Sequence, residues 1–473
     1  MSAKTLYDKI VDSHIVRRLD DEGSVLLYID RSILNEYTSP QAFSGLREAN
    51  RKVWKPSATL LNVDHVNPTR PERTPEMTDP GGELQVRYFE ENSRDFEMEL
   101  FDVMDKRQGI EHVVAHEQGL VMPGMVIAAG DSHTTTYGAF GALGFGIGTS
   151  EIEHMLATQT LVYKKLKAMR VLVQGKLPAA TVAKDIIMLL IEQIGADGAT
   201  GYAIEFSGQT IADLSVEGRM TICNMAVEAG ARGAFMAPDE KVFSYIQDAP
   251  RVPKGALWEQ AVDHWRQLRS DDDAIFDKEI TLNCADMAPK VTWGISPDQA
   301  GSITDRVPNP ADEKNLSKKR DMEMALRYMD LKPGTPFTKI PITHAFIGSC
   351  TNGRIEDLRE VAKVLKNKKI SEHVQGIIVP GSTQVRERAE QEGLAKIFIE
   401  AGFEWRQSGC SMCLAMNEDV LSLGDRCASS TNRNFAGRQG AGARTHLMSP
   451  AMVAAAAITG HLADVRLLIE KGC

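Results

Sequence analysis

The stretch His344-Ala-Phe-Ile-Gly-Ser-Cys-Thr-Asn-Gly-Arg354 decides the fold class. Its first four residues are mostly apolar and predict a buried strand, and a glycine-bearing loop that contains Cys350 comes next. From Arg354 onward, apolar residues recur at helical spacing on one face, namely at Ile355, Leu358, Val361, Ala362 and Leu365. A strand that runs through a loop into a helix is the repeating unit of α/β folds with mostly parallel strands.

Three further segments repeat this arrangement. The first is Gly124-Met-Val-Ile-Ala-Ala129 with Gly130-Asp-Ser-His133, and we expect a helix at Ser150 because Ser150 and Glu153 have capping-box spacing. The other two are Gly376-Ile-Ile-Val379 with Pro380-Gly-Ser382, and Gly402-Phe-Glu-Trp405 with Ser408-Gly-Cys-Ser-Met-Cys413. The pattern predicts parallel sheets with flanking helices, and it predicts that both cysteine loops lie at helix starts, where thiolates are favoured.

Composition and charge exclude several classes of protein. The 473 residues carry a formal charge of −10, which argues against a general nucleic-acid binder because such affinity depends on clustered Lys and Arg. The first residues include no apolar signal segment, and the apolar run 451–460 is too short to span a bilayer, so we expect a cytoplasmic protein without membrane attachment. Seven cysteines are too few and too scattered for a secreted disulfide framework.

The cysteines favour a metal centre. Cys410-Ser-Met-Cys413 alone is compatible with a redox pair, half of a zinc site, part of an iron-sulfur site, or incidental thiols. No second close pair completes a zinc site. With Cys350 the chain offers three thiolates on two similar loops, one fewer than a [4Fe-4S] cluster needs for full protein ligation. Such a cluster leaves one iron open and able to act as a Lewis acid, which predicts catalysis.

Two polar constellations accompany the cysteines. One is acidic and rich in imidazole, and consists of Asp64-His65, His112 and Asp131-Ser132-His133. Each His/Asp pair taken singly is more often a loop contact or a satisfied buried histidine. The other is Asn432-Arg-Asn-Phe-Ala-Gly-Arg438, whose arginine forks suit carboxylates, although a solvated surface loop is an equal alternative from these residues alone.

Several motifs together resemble the aconitase superfamily. They are Gly348-Ser-Cys-Thr-Asn-Gly-Arg-Ile-Glu-Asp-Leu358, Gly409-Cys-Ser-Met-Cys-Leu-Ala-Met416, Thr431-Asn-Arg-Asn-Phe435 and Ser449-Pro-Ala-Met452. With Thr38-Ser-Pro-Gln-Ala-Phe43, Gly130-Asp-Ser-His-Thr134, Gly218-Arg-Met-Thr221 and Val291-Thr-Trp-Gly294, the resemblance spans essentially the whole chain. Within the superfamily, the sequence is most similar to the large subunits of 3-isopropylmalate dehydratases.

The resemblance implies a three-domain α/β core of mostly parallel sheets around a central cluster. The expected domains are 1–177, 178–290 and 291–473, the last carrying the cluster cysteines. A separate small subunit would supply the swivelling domain, which this chain lacks, in a heterodimer or larger assembly. Its serine, and no residue of this chain, would remove the Cα proton.

The resemblance also implies roles for individual residues, each carried over by motif. Cys350, Cys410 and Cys413 would ligate a [4Fe-4S] cluster with one open iron. Asp64 and His65 would protonate the departing hydroxyl. The residues that would bind or orient a small hydroxy-dicarboxylate substrate and water are Gln41, His112, Asp131, Ser132, His133, Asn224, Glu228, Arg433 and Arg438.

The implied activity is the isomerisation of 2-isopropylmalate and 3-isopropylmalate by dehydration and rehydration, in leucine biosynthesis. A related hydro-lyase acting on citraconate, 2-methylmalate or dimethylmaleate is the alternative, and RNA binding by a cluster-free form is a minor one. Three positions depart from the usual pattern: Val66 comes after Asp64-His65 where asparagine is usual, Gly353 replaces a common serine, and His116 replaces proline.

Overall fold

The computed structural model describes residues 3–77 and 79–469. The chain divides into two compact units, the first formed by residues up to 67, 75–175 and 199–283, and the second by residues 68–74, 176–198 and 284 onward. The three-domain division 1–177, 178–290 and 291–473 stays a prediction. The terminal Cys473 lies outside the described residues.

The first unit contains two parallel sheets and one antiparallel sheet. The five-stranded parallel sheet has the spatial order Glu99–Phe101, Thr59–Asn62, Arg31–Asn35, Val126–Ala129, Leu143–Gly146. The four-stranded parallel sheet has the order Gly233–Phe235, Tyr202–Ser207, Lys167–Gln174, Lys278–Asn283. The antiparallel sheet consists of Ile15–Arg18, Ser24–Tyr28 and Thr160–Lys164.

Helices accompany these strands in the first unit. The α-helices are Leu6–His14, Pro40–Glu48, Pro80–Asp95, Glu111–Glu117, Thr149–Thr158, Gln209–Asp213, Val216–Met225, Glu240–Ile246 and Ala256–Trp265. The 3-10 helices are Pro56–Ala58, Ser132–Phe140 and Ala226–Ala229. The three adjacent strands Thr59–Asn62, Arg31–Asn35 and Val126–Ala129 are parallel, so the residues just beyond their carboxyl ends meet at one edge of the sheet.

The second unit is organised around one parallel sheet of five strands. Their spatial order is Phe403–Trp405, Gln375–Ile378, His344–Ile347, Arg426–Ser429, Arg444–Leu447. A small antiparallel pair, Lys290–Thr292 and Ala300–Ser302, accompanies it. The α-helices are Ala183–Ile194, Leu316–Met329, Ser349–Asn352, Ile355–Leu365, Thr383–Gln391, Leu394–Ala401, Pro450–Thr459 and Arg466–Ile469, and the 3-10 helices are Pro310–Asp312, Phe337–Lys339 and Ser411–Cys413.

The strand-loop-helix pattern predicted this architecture correctly. The helix Ile355–Leu365 buries all five residues of its predicted apolar face. Two local predictions were wrong. The helix Thr149–Thr158 is capped from Gly148, whose N–H donates to Glu151 Oε2 at 2.8 Å, so Ser150 is already inside the first turn. The loop that carries Cys410 and Cys413 was predicted to lie at a helix start, but it leads into a single 3-10 turn. An irregular segment then connects this turn to the next strand, Arg426–Ser429.

Among the described residues, no helix is both long enough and apolar enough to cross a lipid bilayer.

Candidate active site

The cysteine loops of the second unit come directly after strands of one parallel sheet. Cys350 lies in the short helix Ser349–Asn352, shortly after the strand His344–Ile347. Beyond Phe403–Trp405, Cys410 precedes a 3-10 turn that ends at Cys413, and Cys413 N–H donates to Cys410 O at 2.9 Å. All three cysteines are buried and form no disulfide with a described residue, and the helix Ser349–Asn352 packs against the turn Ser411–Cys413. The fold thus brings the two cysteine loops together.

Asn432 joins these loops at the level of their sulfur atoms. Its Nδ2 lies 3.4 Å from Cys350 Sγ, and its Oδ1 lies 3.8 Å from Cys413 Sγ. Asn432 lies just beyond the strand Arg426–Ser429, which is the direct neighbour of the strand before Cys350. Ser349 Oγ lies 3.4 Å from Cys413 Sγ on the other loop. Two thiols within reach of one amide form a compact sulfur donor set.

This donor set fits an iron-sulfur cluster. Thiolates are the ligands that such clusters use, and the three thiols here are buried and form no disulfide with a described residue. The Asn432 amide and the Ser349 hydroxyl lie within contact distance of Cys350 Sγ and Cys413 Sγ, respectively. The remaining described cysteines differ in setting, since Cys427 packs in an apolar core with Phe346 and Met412. Burial raises the pKa of Cys427 and of Cys223, as expected for inert thiols.

Two buried cations support the cysteine loops, and the sequence analysis assigned neither of them. Arg354 is 1% exposed, and its guanidinium donates to Cys350 O at 2.7 Å and to Thr351 O at 2.8 Å. Lys184 is fully buried, and its ammonium donates to Ser430 O at 2.5 Å and to Thr431 O at 2.7 Å. One signal for Lys184 was available, because it shares the buried face of Ala183–Ile194 with apolar residues at helical spacing.

In the first unit, Asp64 and His65 form a buried pair after the strand Thr59–Asn62. His65 Nδ1 lies 2.5 Å from Asp64 Oδ1, and His65 Nε2 lies 3.6 Å from Asp131 Oδ2. Burial opposes the charged imidazole, but the charge of Asp64 and the contact with Asp131 outweigh it and raise the pKa of His65 well above its ordinary value of 6.5. The contacts with Asp64 and Asp131 therefore favour the charged form of the His65 imidazole.

Asp131 lies at the centre of three imidazoles. Its Oδ1 is 3.2 Å from His112 Nε2 and 3.2 Å from His133 Nδ1, and it accepts the His133 N–H at 2.6 Å. Burial opposes the ionised form of Asp131, yet the contacts with His112, His133 and His65 hold its pKa well below the usual range. His133 Nε2 in turn lies 2.9 Å from Glu228 Oε1. These contacts connect six of the predicted residues directly: Asp64, His65, His112, Asp131, His133 and Glu228.

The other predicted residues of the first unit are placed less closely. Asn224 is fully buried and donates to Thr136 Oγ1 at 3.0 Å, in the 3-10 helix that begins at Ser132. Ser132 itself is half-buried beside Asp131. Gln41 is exposed in the first turn of Pro40–Glu48 and makes no side-chain hydrogen bond to the described residues. The structure does not connect Gln41 to the histidine and carboxylate network.

Glu36 and Glu111 complete this network, although sequence reasoning missed both. Glu36 is fully buried and accepts the backbone N–H groups of Asp64, His65 and Val66. Glu111 N–H donates to Asp64 Oδ2 at 2.7 Å. Burial first, and then the charge of Asp64, raise the pKa of both carboxyls. A signal for Glu36 was available in the sequence, because it comes directly after a strand. Asp64 and Asp131 likewise come shortly after strands.

The arginine loop of the second unit is half-buried. The guanidinium carbon of Arg438 lies 5.3 Å from the centroid of the Phe435 ring, and Arg433 is the residue directly after Asn432. Asn434 anchors the loop by donating to Gly294 O at 2.7 Å and to Thr292 Oγ1 at 3.2 Å. Both arginines therefore lie on the loop whose Asn432 contacts the cysteine sulfurs.

The three positions that depart from the usual pattern have defined surroundings in the structure. Val66 contributes its N–H to Glu36, a contact that does not depend on its side chain. A Cβ at Gly353 would lie 3.0 Å from Ser349 O, so glycine allows close packing behind Cys350. His116 is 4% exposed and lies between Phe140 and Tyr245, with ring centroids 5.6 Å and 5.5 Å away.

Parallel α/β sheets, buried cysteine loops in the second unit and a buried imidazole-carboxylate network in the first unit are compatible with a hydro-lyase, the class that the family match supports. The chain belongs to the aconitase family (aconitate hydratase), which it matches over residues 8–460. Membership in this family implies a [4Fe-4S] cluster.

Two similar proteins agree with this family. The chain is 74% identical over 99% of its length to 3-isopropylmalate dehydratase large subunit 1 of Mannheimia succiniciproducens, covering 98% of that protein. It is also 74% identical over its full length to 3-isopropylmalate dehydratase large subunit 2 of Salmonella typhimurium, covering 100% of that protein. The solved structure of Thermococcus kodakaraensis aconitase X (holo-form) covers 94% of this chain and 90% of its own, at 13% identity with a TM-score of 0.48, too distant to carry an argument about the site.

Proposed function

We propose that this chain is the large subunit of a cytoplasmic hydro-lyase that isomerises 2-isopropylmalate and 3-isopropylmalate by dehydration and rehydration, in leucine biosynthesis. Two relatives that bear the corresponding name are 74% identical over essentially the whole chain. The single geometric observation that carries the proposal is the buried imidazole of His65 held between Asp64 and Asp131, two contacts that raise its pKa. Loss of a hydroxide-like leaving group requires a proton donor of this kind.

The cluster ligands in this proposal are Cys350, Cys410 and Cys413. When bound through three thiolates, a [4Fe-4S] cluster supplies a Lewis-acidic iron with one open coordination position. Asn432 contributes an N–H donor to Cys350 Sγ, and hydrogen bonds to cluster sulfur are among the means by which a protein adjusts such a group.

His65 is the proton donor for the departing hydroxyl. Its Nδ1 is held by Asp64 at 2.5 Å, which fixes the ring orientation and leaves Nε2 as the nitrogen that faces other groups. In the reverse direction, hydration, the same imidazole accepts the proton from water. Asp64 favours the charged ring, because its negative charge is the largest of the causes that raise the pKa of His65 against the effect of burial.

The Asp131 group orients substrate and water. The carboxylate of Asp131 is an acceptor for His112, His133 and His65, so it fixes three imidazole rings relative to one another. Glu228 fixes the far nitrogen of His133 at 2.9 Å. Ser132 and Asn224 are further orienting groups in this proposal, and Gln41 is a substrate ligand that gains its contact only when substrate is present.

Arg433 and Arg438 bind the two carboxylates of a small hydroxy-dicarboxylate. A guanidinium presents a planar fork of N–H donors that matches a carboxylate, which explains how an acidic chain binds an acidic substrate. A small subunit with the swivelling domain completes the enzyme and carries the base that removes the Cα proton. The names of the 74% identical relatives, both large subunits, support such a partner.

Anaerobic reconstitution with iron and sulfide tests this function. We expect brown protein with about four irons per chain. Together with its small subunit it should interconvert the two isopropylmalates faster than it hydrates citraconate. Protein that stays colourless after oxygen-free reconstitution contradicts the proposal, and a preference for citraconate or dimethylmaleate overturns the substrate while keeping the reaction class.

A further inference from the structure

Lys184 is a buried cation whose hydrogen-bond acceptors are neutral. It lies in the first turn of the helix Ala183–Ile194 with no exposed surface, and its ammonium donates to the carbonyls of Ser430 and Thr431. Removing an ammonium from water is costly unless an opposite charge compensates for it. The adjacent Asp185 is occupied with the backbone N–H groups of Lys290 and Val182.

The carbonyls that Lys184 binds belong to the segment that contacts the cysteine sulfurs. Directly after Thr431 comes Asn432, whose amide contacts Cys350 Sγ and Cys413 Sγ. Ser430 reaches the Cys350 loop as well: its Oγ donates to Gly348 O at 3.1 Å, and the Gly348 N–H donates to Ser430 Oγ at 3.0 Å. One ammonium therefore fixes a segment that holds both cysteine loops.

The cysteine sulfurs are among the groups that interact electrostatically with Lys184. Burial lowers the pKa of Lys184 to about 7, and the groups that oppose this effect are, in order, Asp357, Asp185, Cys413 and Cys350. Asp357 already accepts the Arg354 N–H and the Asn352 amide, and burial raises its pKa. Arg354 adds a second buried cation behind Cys350.

We propose that Lys184 is a positioning residue and counter-charge for the cluster thiolates: it anchors segment 430–432 and balances the negative charge that Cys350, Cys410 and Cys413 bring when they ligate the cluster. This inference rests on the cluster in the proposed function. Thiols must lose protons to bind iron, and a nearby cation favours the thiolate form. A positive charge near a cluster also favours its reduced, more negative state, which raises its reduction potential.

The counter-charge has a consequence for the holo chain that the hydrogen bonds alone do not have. Loss of the charge should weaken cluster retention and lower the reduction potential. Lys184→Gln keeps a hydrogen-bond donor near the carbonyls of Ser430 and Thr431 but loses the charge. A purely structural role therefore predicts an unchanged reduction potential for this variant.

Lys184→Gln and Lys184→Met test this inference, with Lys290→Gln as the matched control. Glutamine keeps one hydrogen-bond donor and loses the charge, whereas methionine loses both. Lys290 is also a buried lysine of this unit, but its ammonium is 2.6 Å from the Glu192 carboxylate. The measurements are the rate of iron release to a chelator without oxygen and the cluster midpoint potential by electron paramagnetic resonance.

We expect both Lys184 variants to release iron roughly ten- to hundredfold faster than the wild type, the range typical of groups that support metal ligands. We also expect both to have a lower midpoint potential, with the control like the wild type. Unchanged release and potential in both variants overturn the inference, and so does an unchanged potential in Lys184→Gln. Wild-type chain that takes up no cluster overturns the proposed function and this inference together.

Discussion

The backbone N–H of His65 donates to the buried carboxylate of Glu36 at 2.7 Å. The same carboxylate accepts the N–H groups of Asp64 and Val66, so three consecutive amides converge on one side chain. Glu36 comes directly after the strand Arg31–Asn35, and Asp64 lies just beyond the neighbouring parallel strand. The orientation of the proposed proton donor is thus set by a residue that need not contact substrate.

Glu36→Gln should damage both stability and catalysis. The amide can still accept hydrogen bonds through oxygen, but its NH2 group faces a backbone N–H donor and leaves a buried group unsatisfied. We expect a loss of about 1–3 kcal/mol in the free energy of unfolding, measured by urea titration. Because a displaced loop misorients His65, kcat should fall by roughly a hundredfold.

The control for this prediction is Glu205→Gln. Glu205 is another buried carboxyl of the same unit, which accepts the hydroxyl of Ser270 and does not contact the Asp64 loop. We expect its kcat to equal that of the wild type. Equal kcat values for Glu36→Gln and the wild type would show that the Glu36 carboxylate does not set the orientation of His65.

The sequence was sufficient to predict the architecture, and the structure brings six of the predicted site residues of the first unit into contact, for a specific reason. Asp64 and Asp131 come shortly after apolar strands of the same parallel sheet, and such positions meet at one edge of it. Cys350 has the corresponding position in the sheet of the second unit. The absence of a helix after Cys413 was not predictable, because a glycine-bearing loop after a strand carries no local signal that specifies the next element. Glu36 was missed because its function depends on backbone amides, which every sequence contains.

Asp64→Asn should move the alkaline limb of the pH-rate profile. His65 acts as an acid, so activity falls as pH rises through its pKa. The charge of Asp64 is a main cause of the raised pKa of His65, and asparagine removes that charge while keeping an oxygen near Nδ1. We therefore expect the alkaline limb of kcat to shift to lower pH, with a lower maximum.

The comparison variant for the pH profile is Asp30→Asn. Asp30 lies 2.8 Å from His14 Nε2 and raises the pKa of that histidine against the effect of burial, so it is a second His/Asp pair in the same unit. Asp30 takes no part in the proposed reaction. The alkaline limb of the Asp30→Asn variant should therefore coincide with that of the wild type. If Asp64→Asn also leaves the limb in place, His65 is not the titrating acid.

Cys413→Ser should abolish the cluster and the activity together. A serine hydroxyl is a poor replacement for a thiolate on iron, and two remaining thiolates do not hold a cubane cluster. We expect iron content close to zero and loss of the brown absorbance after anaerobic reconstitution. Cys427→Ser is the control, because Cys427 is a free buried thiol of the same unit that packs among apolar residues. Full iron content in Cys413→Ser would remove Cys413 from the ligand set.

Arg433→Ala and Arg438→Ala should each weaken substrate binding. Loss of one charge-assisted contact costs roughly 1.5–3 kcal/mol, which corresponds to about a ten- to hundredfold increase in Kd for isopropylmalate. Arg388→Ala is the control, because its guanidinium is exposed and pairs with Glu392 within one helix turn. The iron content of all three variants should equal that of the wild type, which separates substrate binding from cluster loss. The Kd is measured by calorimetry on the holo heterodimer. A substrate carboxylate that leaves water and loses its guanidinium partner cannot bind with full affinity. An unchanged Kd in both loop variants would therefore show that this loop is a solvated surface and does not bind the substrate.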